Sequence, residues 1–355
     1  MGTFSTFLKW TALVVVGLGV GLHFLMQPKS ISFSAKYPAT PLPSTLTTQQ
    51  IEEYKRDGFI LIPGLVKGDE LQNLVDEAEY IYNSWNILDF VFKASFAKIS
   101  MQAWRQSSVI SRFAFESALP SMSAQLMGEP ESIRILKDAV FGYTKEGKGC
   151  GFHVDDRGFW PATDDTTGVN LWLALSPMRV QEGGGIRVAN QSLTHKIHQG
   201  CVDVIRQGMN TTCSMHELSP ECDEKLMQAS VVYEMNPGDA LLWDRSTFHR
   251  TEPFHVESDS HKLRYTIRYI PGHATAEGIL HPSVENGQKF DSPYYPQVWP
   301  AALESEVDAI RQGLEADVQV FRFIEKVAKR KLAKLFASPS GRWMSGSKPT
   351  TESSY

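Results

Sequence analysis

The sequence predicts an α+β protein with a mainly β core, flanking helices and an N-terminal transmembrane helix. Between about residues 133 and 270, short apolar runs alternate with turn residues, apart from one insertion. This pattern is typical of a β-sandwich or barrel, for which a jelly roll is the natural candidate. Apolar positions at helical spacing precede this region, and a long uncharged apolar run opens the chain.

The composition is that of an ordinary globular protein. Of the 355 residues, 42% are hydrophobic and 21% are charged, and the formal net charge is −5. A chain of this length fits one elaborated domain or two small ones. General nucleic-acid binding usually requires a surplus of basic residues, so we expect no nucleic-acid partner.

Residues 1–26 are predicted to form a single-pass membrane anchor. The run from Trp10 to Met26 has no charged side chain apart from the titratable His23. It is slightly shorter than the roughly 20 residues that usually span a bilayer. The alternative is a cleaved signal peptide, because residues 32–34 before Ala35 resemble a cleavage site. Residues 27–45 contain four prolines and are expected to form a linker.

The main domain is assigned to residues 46–300. Thr47 or Thr48 is the expected N-cap of a first helix, which Gly58 ends. A short strand closed by a Pro-Gly turn follows at residues 59–64, and residues 69–83 have helical periodicity. Further strands are predicted at residues 133–136, 139–143, 168–175, 184–189, 230–234, 240–243 and 263–270.

An insertion covers about residues 196–228, where a lid or a substrate contact could lie. It carries Cys201, Cys213 and Cys222, with Cys150 upstream, and the sequons Asn190–Ser192 and Asn210–Thr212 lie nearby. These features favour the lumenal side of a membrane, where disulfides and glycans form. Four cysteines in a chain of this length are also compatible with free thiols in the cytosol.

The C-terminal region is predicted to be helical over residues 301–338 and disordered over residues 339–355. Apolar residues from Ile324 to Leu335 share one helix face, and lysine and arginine side chains surround it. Such a helix either packs on the domain with its charges solvated or contacts an anionic membrane surface.

A metal site is the main chemical prediction. His153 and Asp155 are two residues apart, so on a β-strand both side chains point to the same face and can reach one ion. His249, just after a predicted strand, is the candidate third ligand. Two histidines and one carboxylate form the facial triad of non-haem Fe(II) oxygenases. His195, His198, His255 and His261 have surface or packing roles as their default interpretation.

Two arginines on the last predicted strand are candidates for holding a keto acid. Arg264 and Arg268 share one strand face, with Thr266 between them. A guanidinium binds a carboxylate with two hydrogen bonds and stays charged at any working pH. A surface ion pair is the alternative role for either residue.

These residues resemble the phytanoyl-CoA dioxygenase family of Fe(II)/2-oxoglutarate oxygenases. The resemblance runs from Leu46 to about Ile270. It rests on motifs in a fixed order: Tyr54–Phe59, Pro63–Gly64, His153–Asp155, Leu171–Leu175, Gly183–Gly185, Pro237–Asp239, His249 and Arg264. The chain departs from the family pattern at Ala189–Ser192, where the family often has Pro-Gly-Ser-His, and in its long cysteine-bearing insertion.

The resemblance implies a double-stranded β-helix (cupin-like jelly roll) with His153, Asp155 and His249 as catalytic iron ligands. It implies that Arg264 binds 2-oxoglutarate, with Trp172 and Tyr143 or Lys145 near that cosubstrate. The implied reaction consumes 2-oxoglutarate and O₂, releases succinate and CO₂, and hydroxylates a small-molecule or lipid-like substrate at an unactivated C–H bond. Ascorbate is a possible additional requirement.

Two other functions remain open at the level of the sequence. One is a catalytically inactive, membrane-tethered jelly-roll binding module. The other is a zinc hydrolase that uses the same three ligands, because two histidines and a carboxylate also suit Zn²⁺.

Overall fold

The structure is a computed structural model that describes residues 45–84, 97–143, 149–155, 160–163, 165–207, 215–254, 261–277 and 284–312. The predicted anchor, nearly all of the linker, the C-terminal tail and most of the C-terminal helical extension lie outside these residues. Within the described ranges, no helix has the length and apolar character needed to cross a membrane.

Eleven described strands form two antiparallel sheets. The strands are β1 (Phe59–Ile62), β2 (Lys98–Met101), β3 (Ile133–Tyr143), β4 (Cys150–His153), β5 (Val169–Ala174), β6 (Ile186–Ala189), β7 (Ser230–Val232), β8 (Ala240–Asp244), β9 (His249–Thr251), β10 (Lys262–Pro271) and β11 (Gln297–Trp299). The seven-stranded sheet has the order β1-β8-β5-β10-β3-β11, with β2 paired to β3, and the four-stranded sheet has the order β4-β9-β6-β7. This mainly β architecture is consistent with a jelly-roll-like core.

Helices flank the sheets. They are α1 (Thr48–Asp57), α2 (Gly68–Asn83), α3 (Ser108–Glu116), α4 (Leu119–Leu126), α5 (Gln191–Thr194), α6 (His198–Gln207), α7 (Met215–Leu218), α8 (Pro220–Gln228) and α9 (Glu304–Gln312). The last of these is held to the sheet by a buried ion pair, in which the Glu306 carboxylate lies 2.8 Å from the Arg134 guanidinium.

The first helix begins and ends where the sequence predicts. Thr47 is its N-cap and forms a capping box with Gln50, which satisfies two backbone N–H groups that the helix leaves unpaired. Gly58 ends the helix with a φ of 82°, a conformation that disfavours other residues. A Cβ atom at Gly58 would also lie 2.4 Å from the Gln191 side chain. Glycine is therefore required at this position for two independent reasons.

Strand β10 separates the apolar core from the cavity. Leu263, Tyr265, Ile267 and Tyr269 belong to the large hydrophobic cluster that also contains the flanking helices. Arg264, Thr266 and Arg268 alternate with them and line a cavity on the other side of the sheet. This alternation follows from the two-residue repeat of a β-strand, so one strand contributes both to the core and to the cavity wall.

Strand β3 is one continuous strand, whereas the sequence pattern predicted two. The polar pair Lys137–Asp138 interrupts the apolar run, which explains the prediction. Asp138 is completely buried, and its Oδ2 accepts hydrogen bonds from the Trp104 backbone N–H (2.8 Å) and the Tyr265 hydroxyl (3.1 Å). The interruption is thus a buried polar contact inside a strand. The short strands β2, β9 and β11 were not predicted.

We expect Asp138 to make the protein less stable as the pH rises. Burial raises the pKa of Asp138 to about 7, and the hydrogen bonds from Trp104 and Tyr265 only partly oppose this. Because the carboxyl group ionises more readily in the unfolded chain, the free energy of unfolding should fall between about pH 4 and pH 7, by about 1.4 kcal/mol for each unit of pKa difference.

Asp138→Asn keeps an acceptor for both hydrogen bonds and removes the titration. Urea unfolding of the wild-type protein and of this variant at several pH values measures the effect. The difference between the two free energies should grow from pH 5 to pH 8, and parallel curves would contradict the assignment.

Candidate metal and cosubstrate site

The three predicted metal ligands lie together at the edge of the cavity. His153 ends β4, Asp155 follows two residues later, and His249 begins β9, where it pairs with His153 across the four-stranded sheet. All three residues are buried, and one ligand atom from each lies within 4.8 Å of the others. The Nε2 atoms of His153 and His249 lie 3.9 Å and 3.6 Å from Asp155 Oδ1. The three side chains can therefore bind one ion.

Hydrogen bonds orient both imidazole rings for metal binding. Nδ1 of His153 lies 2.8 Å from the Gly151 carbonyl oxygen, and Nδ1 of His249 lies 3.0 Å from the Thr247 carbonyl oxygen. A carbonyl only accepts, so each Nδ1 carries a proton, and each Nε2, which points towards Asp155 Oδ1, is the atom available to a metal ion. Burial, followed by the neighbouring His249, lowers the pKa of His153 to about 4, which keeps its ring neutral. A neutral imidazole is the form that binds a metal.

Arg268 holds the third ligand in place. Its Nε and Nη2 atoms donate hydrogen bonds to Asp155 Oδ2 at 3.1 Å and 2.9 Å, which leaves Oδ1 facing the histidines. Burial alone would raise the pKa of Asp155, but the Arg268 guanidinium, followed by the neighbouring His249, holds it well below its usual value. Lys137 lies opposite Arg268 in the pairing of strands β3 and β10. Burial, and then the charge of Arg268, lower the pKa of Lys137 to about 7.

Replacing Arg268 with methionine is expected to weaken metal binding by about 10- to 100-fold, as is typical when a partner that orients a ligand is lost. The loss should increase as the pH falls, since the pKa of Asp155 rises without the guanidinium. Titration of the metal-free protein with Co²⁺ at pH 6 and pH 8 measures both effects. Arg264→Met is the matched control and should leave Co²⁺ affinity unchanged. Unchanged affinity in Arg268→Met would contradict the assigned role.

Arg264 occupies a different environment from Arg268. Its guanidinium carbon lies 4.0 Å, 4.7 Å and 5.1 Å from the ring centres of Tyr143, Phe141 and Trp172. Arg264 is buried, and its Nε and Nη1 atoms have no hydrogen-bond partner among the described residues. Burial, and then the charge of Arg268, lower its pKa. A buried cation with unused N–H groups is costly unless an anion binds to it.

The remaining polar groups of the cavity wall are mostly donors. Within the part of the chain that the structure describes, Asn170 Nδ2, Trp172 Nε1, Trp243 Nε1 and the Thr266 hydroxyl also lack hydrogen-bond partners. The Asn170 amide has a defined orientation because its Oδ1 accepts a hydrogen bond from Trp160 Nε1, which can only donate. A wall of this kind suits a ligand rich in acceptor oxygens. A keto dicarboxylate such as 2-oxoglutarate fits this requirement, and the triad fits iron.

The structure thus brings together all six predicted site residues: His153, Asp155, His249, Arg264, Trp172 and Tyr143. Lys145 and His255 lie outside the described residues. His195, His198 and His261 lie elsewhere, and His261 contacts Glu79 with an Nε2–Oε2 distance of 2.9 Å. The contact between Arg268 and Asp155 was not predicted. The sequence did contain a signal for it. Arg264, Thr266 and Arg268 are spaced by two residues along one strand, so both arginine side chains lie on the face that lines the cavity.

The segment Ala189–Ser192, at which the sequence differs from the family pattern, has a structural role of its own. Asn190 caps helix α5, and its side-chain Oδ1 accepts a hydrogen bond from the Ser192 N–H at 2.9 Å. The same side chain also hydrogen-bonds the Asp57 carboxylate, whose pKa is lowered mainly by its hydrogen bond from Arg56 and further by this contact. The sequon asparagine therefore joins two helices in the folded protein.

Comparison with known proteins supports the assignment. The family model of phytanoyl-CoA dioxygenase (PhyH) matches residues 54–259. No curated protein sequence matches the chain. The solved structure of the non-heme α-ketoglutarate-dependent carbocyclase SnoK from nogalamycin biosynthesis is 17% identical, with a TM-score of 0.57, and the match covers 73% of this chain and 100% of SnoK.

Two further solved structures share the fold. The epimerase SnoN, in complex with Fe³⁺, α-ketoglutarate and nogalamycin RO, is 15% identical, with a TM-score of 0.53 and coverage of 70% of this chain and 97% of SnoN. EctD from S. alaskensis, in its apoform, is 16% identical, with a TM-score of 0.52 and coverage of 78% and 90%.

The family model spans more than half of the chain and includes His153, Asp155 and His249. A cavity with a buried, unpaired guanidinium lies beside these ligands. The chain therefore belongs to the phytanoyl-CoA dioxygenase (PhyH) family and is an iron- and 2-oxoglutarate-dependent oxygenase.

Proposed function

We propose that this enzyme hydroxylates an unactivated C–H bond of a small-molecule or lipid-like substrate. In such a reaction one atom of O₂ enters succinate, the other enters the new hydroxyl group, and 2-oxoglutarate loses CO₂. The observation that carries the proposal is the placement of Arg264, whose unpaired N–H groups line the same cavity as the three metal ligands.

Each predicted site residue has a role in this proposal. His153, Asp155 and His249 hold the iron, which supplies the activation of O₂ when it is bound. Arg264 binds the distal carboxylate of 2-oxoglutarate, and the rings of Trp172 and Tyr143 fix the position of its guanidinium. Arg268 keeps one oxygen of Asp155 directed at the metal. The buried walls exclude water from the reacting atoms.

The same features argue against the two other functions. A zinc hydrolase would not require the buried Arg264 guanidinium as a second cation beside the metal ion. An inactive binding module would not need three buried ligands whose two imidazole rings are held in place through their Nδ1 atoms. The apolar members of the wall, which include Phe141, Ile186 and Trp243, suit a substrate with a hydrocarbon portion.

Succinate formation and oxygen incorporation test the proposal together. The full chain is incubated with Fe²⁺, 2-oxoglutarate, ascorbate and a panel of fatty acyl, terpenoid and polar small-molecule substrates under ¹⁸O₂. Hydroxylation predicts succinate and one ¹⁸O atom in the product. Succinate with an unlabelled product would instead indicate desaturation or cyclisation if the product has lost two hydrogens, and epimerisation if the product is an isomer of the substrate. Turnover with Zn²⁺ and without 2-oxoglutarate would establish the hydrolase.

We further propose that residues 1–26 anchor the enzyme in a membrane, with the catalytic domain on the lumenal side. Three cysteines on the described strands and helices are disulfide-bonded, Cys201 and Cys222 to each other and Cys150 in a separate bond, and this supports an oxidising compartment. Glycosidase sensitivity of the expressed chain, compared with Asn210→Gln, tests the side of the membrane. A chain extracted by alkaline carbonate would contradict the anchor.

A further inference from the structure

The described helices of the insertion that distinguishes this chain do not lie where a lid would. Helices α6, α7 and α8 carry Cys201, Val202, Ile205, Met215 and Leu226 into one buried cluster, which also contains residues of β4 and β6 and the residue that precedes β9. Helix α7 packs directly on β4, the strand that ends at His153. The sequence suggested a lid or a substrate contact for this segment. Its described helices instead pack behind the four-stranded sheet.

The cluster is formed by the immediate neighbours of the metal ligands. Phe152 and Val154 alternate with His153 and Asp155, and Phe248 directly precedes His249. Since adjacent residues of an extended chain point to opposite sides, these apolar side chains face the insertion while the ligands face the cavity. Phe152 and Phe248 are fully buried there. The insertion therefore supports both ligand-bearing segments from behind.

Disulfides hold this support together. The Cys201–Cys222 disulfide joins α6 to α8, and Cys201 is itself part of the buried cluster. A few short helices with so few apolar residues have little independent stability, which is the situation in which a covalent link matters most. Cys150 is also disulfide-bonded, and its Sγ lies 3.5 Å from His153 Nδ1, the atom whose hydrogen bond orients that ring.

We propose that the insertion is a positioning element for the iron ligands and that the Cys201–Cys222 disulfide locks it. Reduction of this disulfide loosens the packing behind Phe152 and Phe248, so the two imidazoles lose their fixed geometry and the protein binds its metal less tightly. No insertion residue needs to touch the metal or the substrate for this effect. The proposal rests on metal binding by the triad, not on the identity of the substrate.

The reduction step has a defined stoichiometry. A phosphine attacks one sulfur and breaks the S–S bond, water supplies the oxygen of the phosphine oxide, and two thiols form. A phosphine is preferred to a dithiol reagent because thiolates bind metals themselves.

Co²⁺ titration of the full chain, without 2-oxoglutarate, provides the test. The oxidised wild-type protein is compared with the Cys201→Ser/Cys222→Ser double variant. The matched control is Gln199→Ser/Glu224→Ser, which changes exposed residues on the same two helices. We expect the double cysteine variant to bind Co²⁺ about 10- to 100-fold more weakly, the range seen when support of a ligand is lost. The control should match the wild type.

Two further measurements separate positioning from general unfolding. Circular dichroism and cooperative thermal unfolding should show that the cysteine variant is folded at the titration temperature, and the visible spectrum of bound Co²⁺ should change in shape as the ligand geometry relaxes. If the variant does not fold, the Cys150→Ser protein, which lacks the disulfide next to His153, is titrated before phosphine reduction, after it and after reoxidation, and affinity should fall and then recover.

Affinities within about twofold between the oxidised and reduced forms, well below the 10- to 100-fold range expected of lost ligand support, would overturn the proposal. Absence of Co²⁺ binding to the oxidised wild type would instead count against the metal site itself. The two failures are therefore distinguishable.

Discussion

Replacing His249 with alanine is expected to abolish metal binding and turnover while leaving the fold intact. The substitution removes one of three ligands, so the loss should exceed the 10- to 100-fold effect of removing a residue that only orients a ligand. His249 packs against Trp243, with ring centres 5.1 Å apart, and its removal leaves the Asp155 carboxylate hydrogen-bonded to Arg268. Iron retained after gel filtration and succinate formation are the two measurements.

Asp155→Ala should lose the metal equally but should also destabilise the protein. Without the carboxylate, the buried Arg268 guanidinium has lost the partner it contacts at 2.9 Å. Breaking a buried ion pair on one side typically costs about 3–5 kcal/mol. Urea unfolding of the metal-free proteins should therefore separate the two variants. His261→Ala, which removes a histidine outside the triad, is the control and should retain iron. Iron retained by His249→Ala would contradict the triad.

The second large effect is expected at Arg264. Arg264→Met should raise the dissociation constant for 2-oxoglutarate by about 30-fold to several thousand-fold, because truncating one partner of a buried charge pair costs about 2–5 kcal/mol. Iron affinity should not change, since Arg264 contacts none of the three ligands among the described residues. Isothermal titration of the iron-loaded, oxygen-free enzyme with 2-oxoglutarate measures the change.

A conservative variant sharpens this prediction. Arg264→Lys retains the charge but loses the planar pair of donors, so its affinity for 2-oxoglutarate should lie between those of the wild type and the methionine variant. The thermal stabilisation that 2-oxoglutarate gives to the wild type should follow the same order. Equal affinities in all three proteins would show that the distal carboxylate binds elsewhere.

Much of the site could be predicted from the sequence because its determinants are local. The spacing of His153 and Asp155 and the residue types at His249 and Arg264 are visible without any tertiary information. The alternation of charged and apolar residues along β10 also follows from the chain itself. Thr47 and Gly58 were predictable for the same reason, since helix caps depend on neighbouring backbone atoms.

The division of roles between Arg264 and Arg268 depended on contacts that no local pattern contains. It is decided by where β4 ends relative to β10, because only Arg268 lies within hydrogen-bond distance of Asp155. The continuity of β3 was missed because a buried carboxylate, Asp138, resembles a strand break in sequence. The place of the insertion was missed because its apolar positions are few and their partners, such as Phe152 and Phe248, are distant in the chain.

The pairing of the strands has a consequence for the order in which this protein acquires its site. His153 pairs with His249, Lys262 pairs with Tyr143, and Phe59 pairs with Trp243, so every pairing that brings the site together spans a long stretch of chain. Closing such long loops costs conformational entropy before the strand contacts have formed, so proteins with this kind of topology fold slowly. The complete set of three ligands therefore exists only once His249 has paired with His153, so binding of one ion by all three residues requires this long-range pairing. Iron held by all three residues in a cell would then report that this pairing has formed.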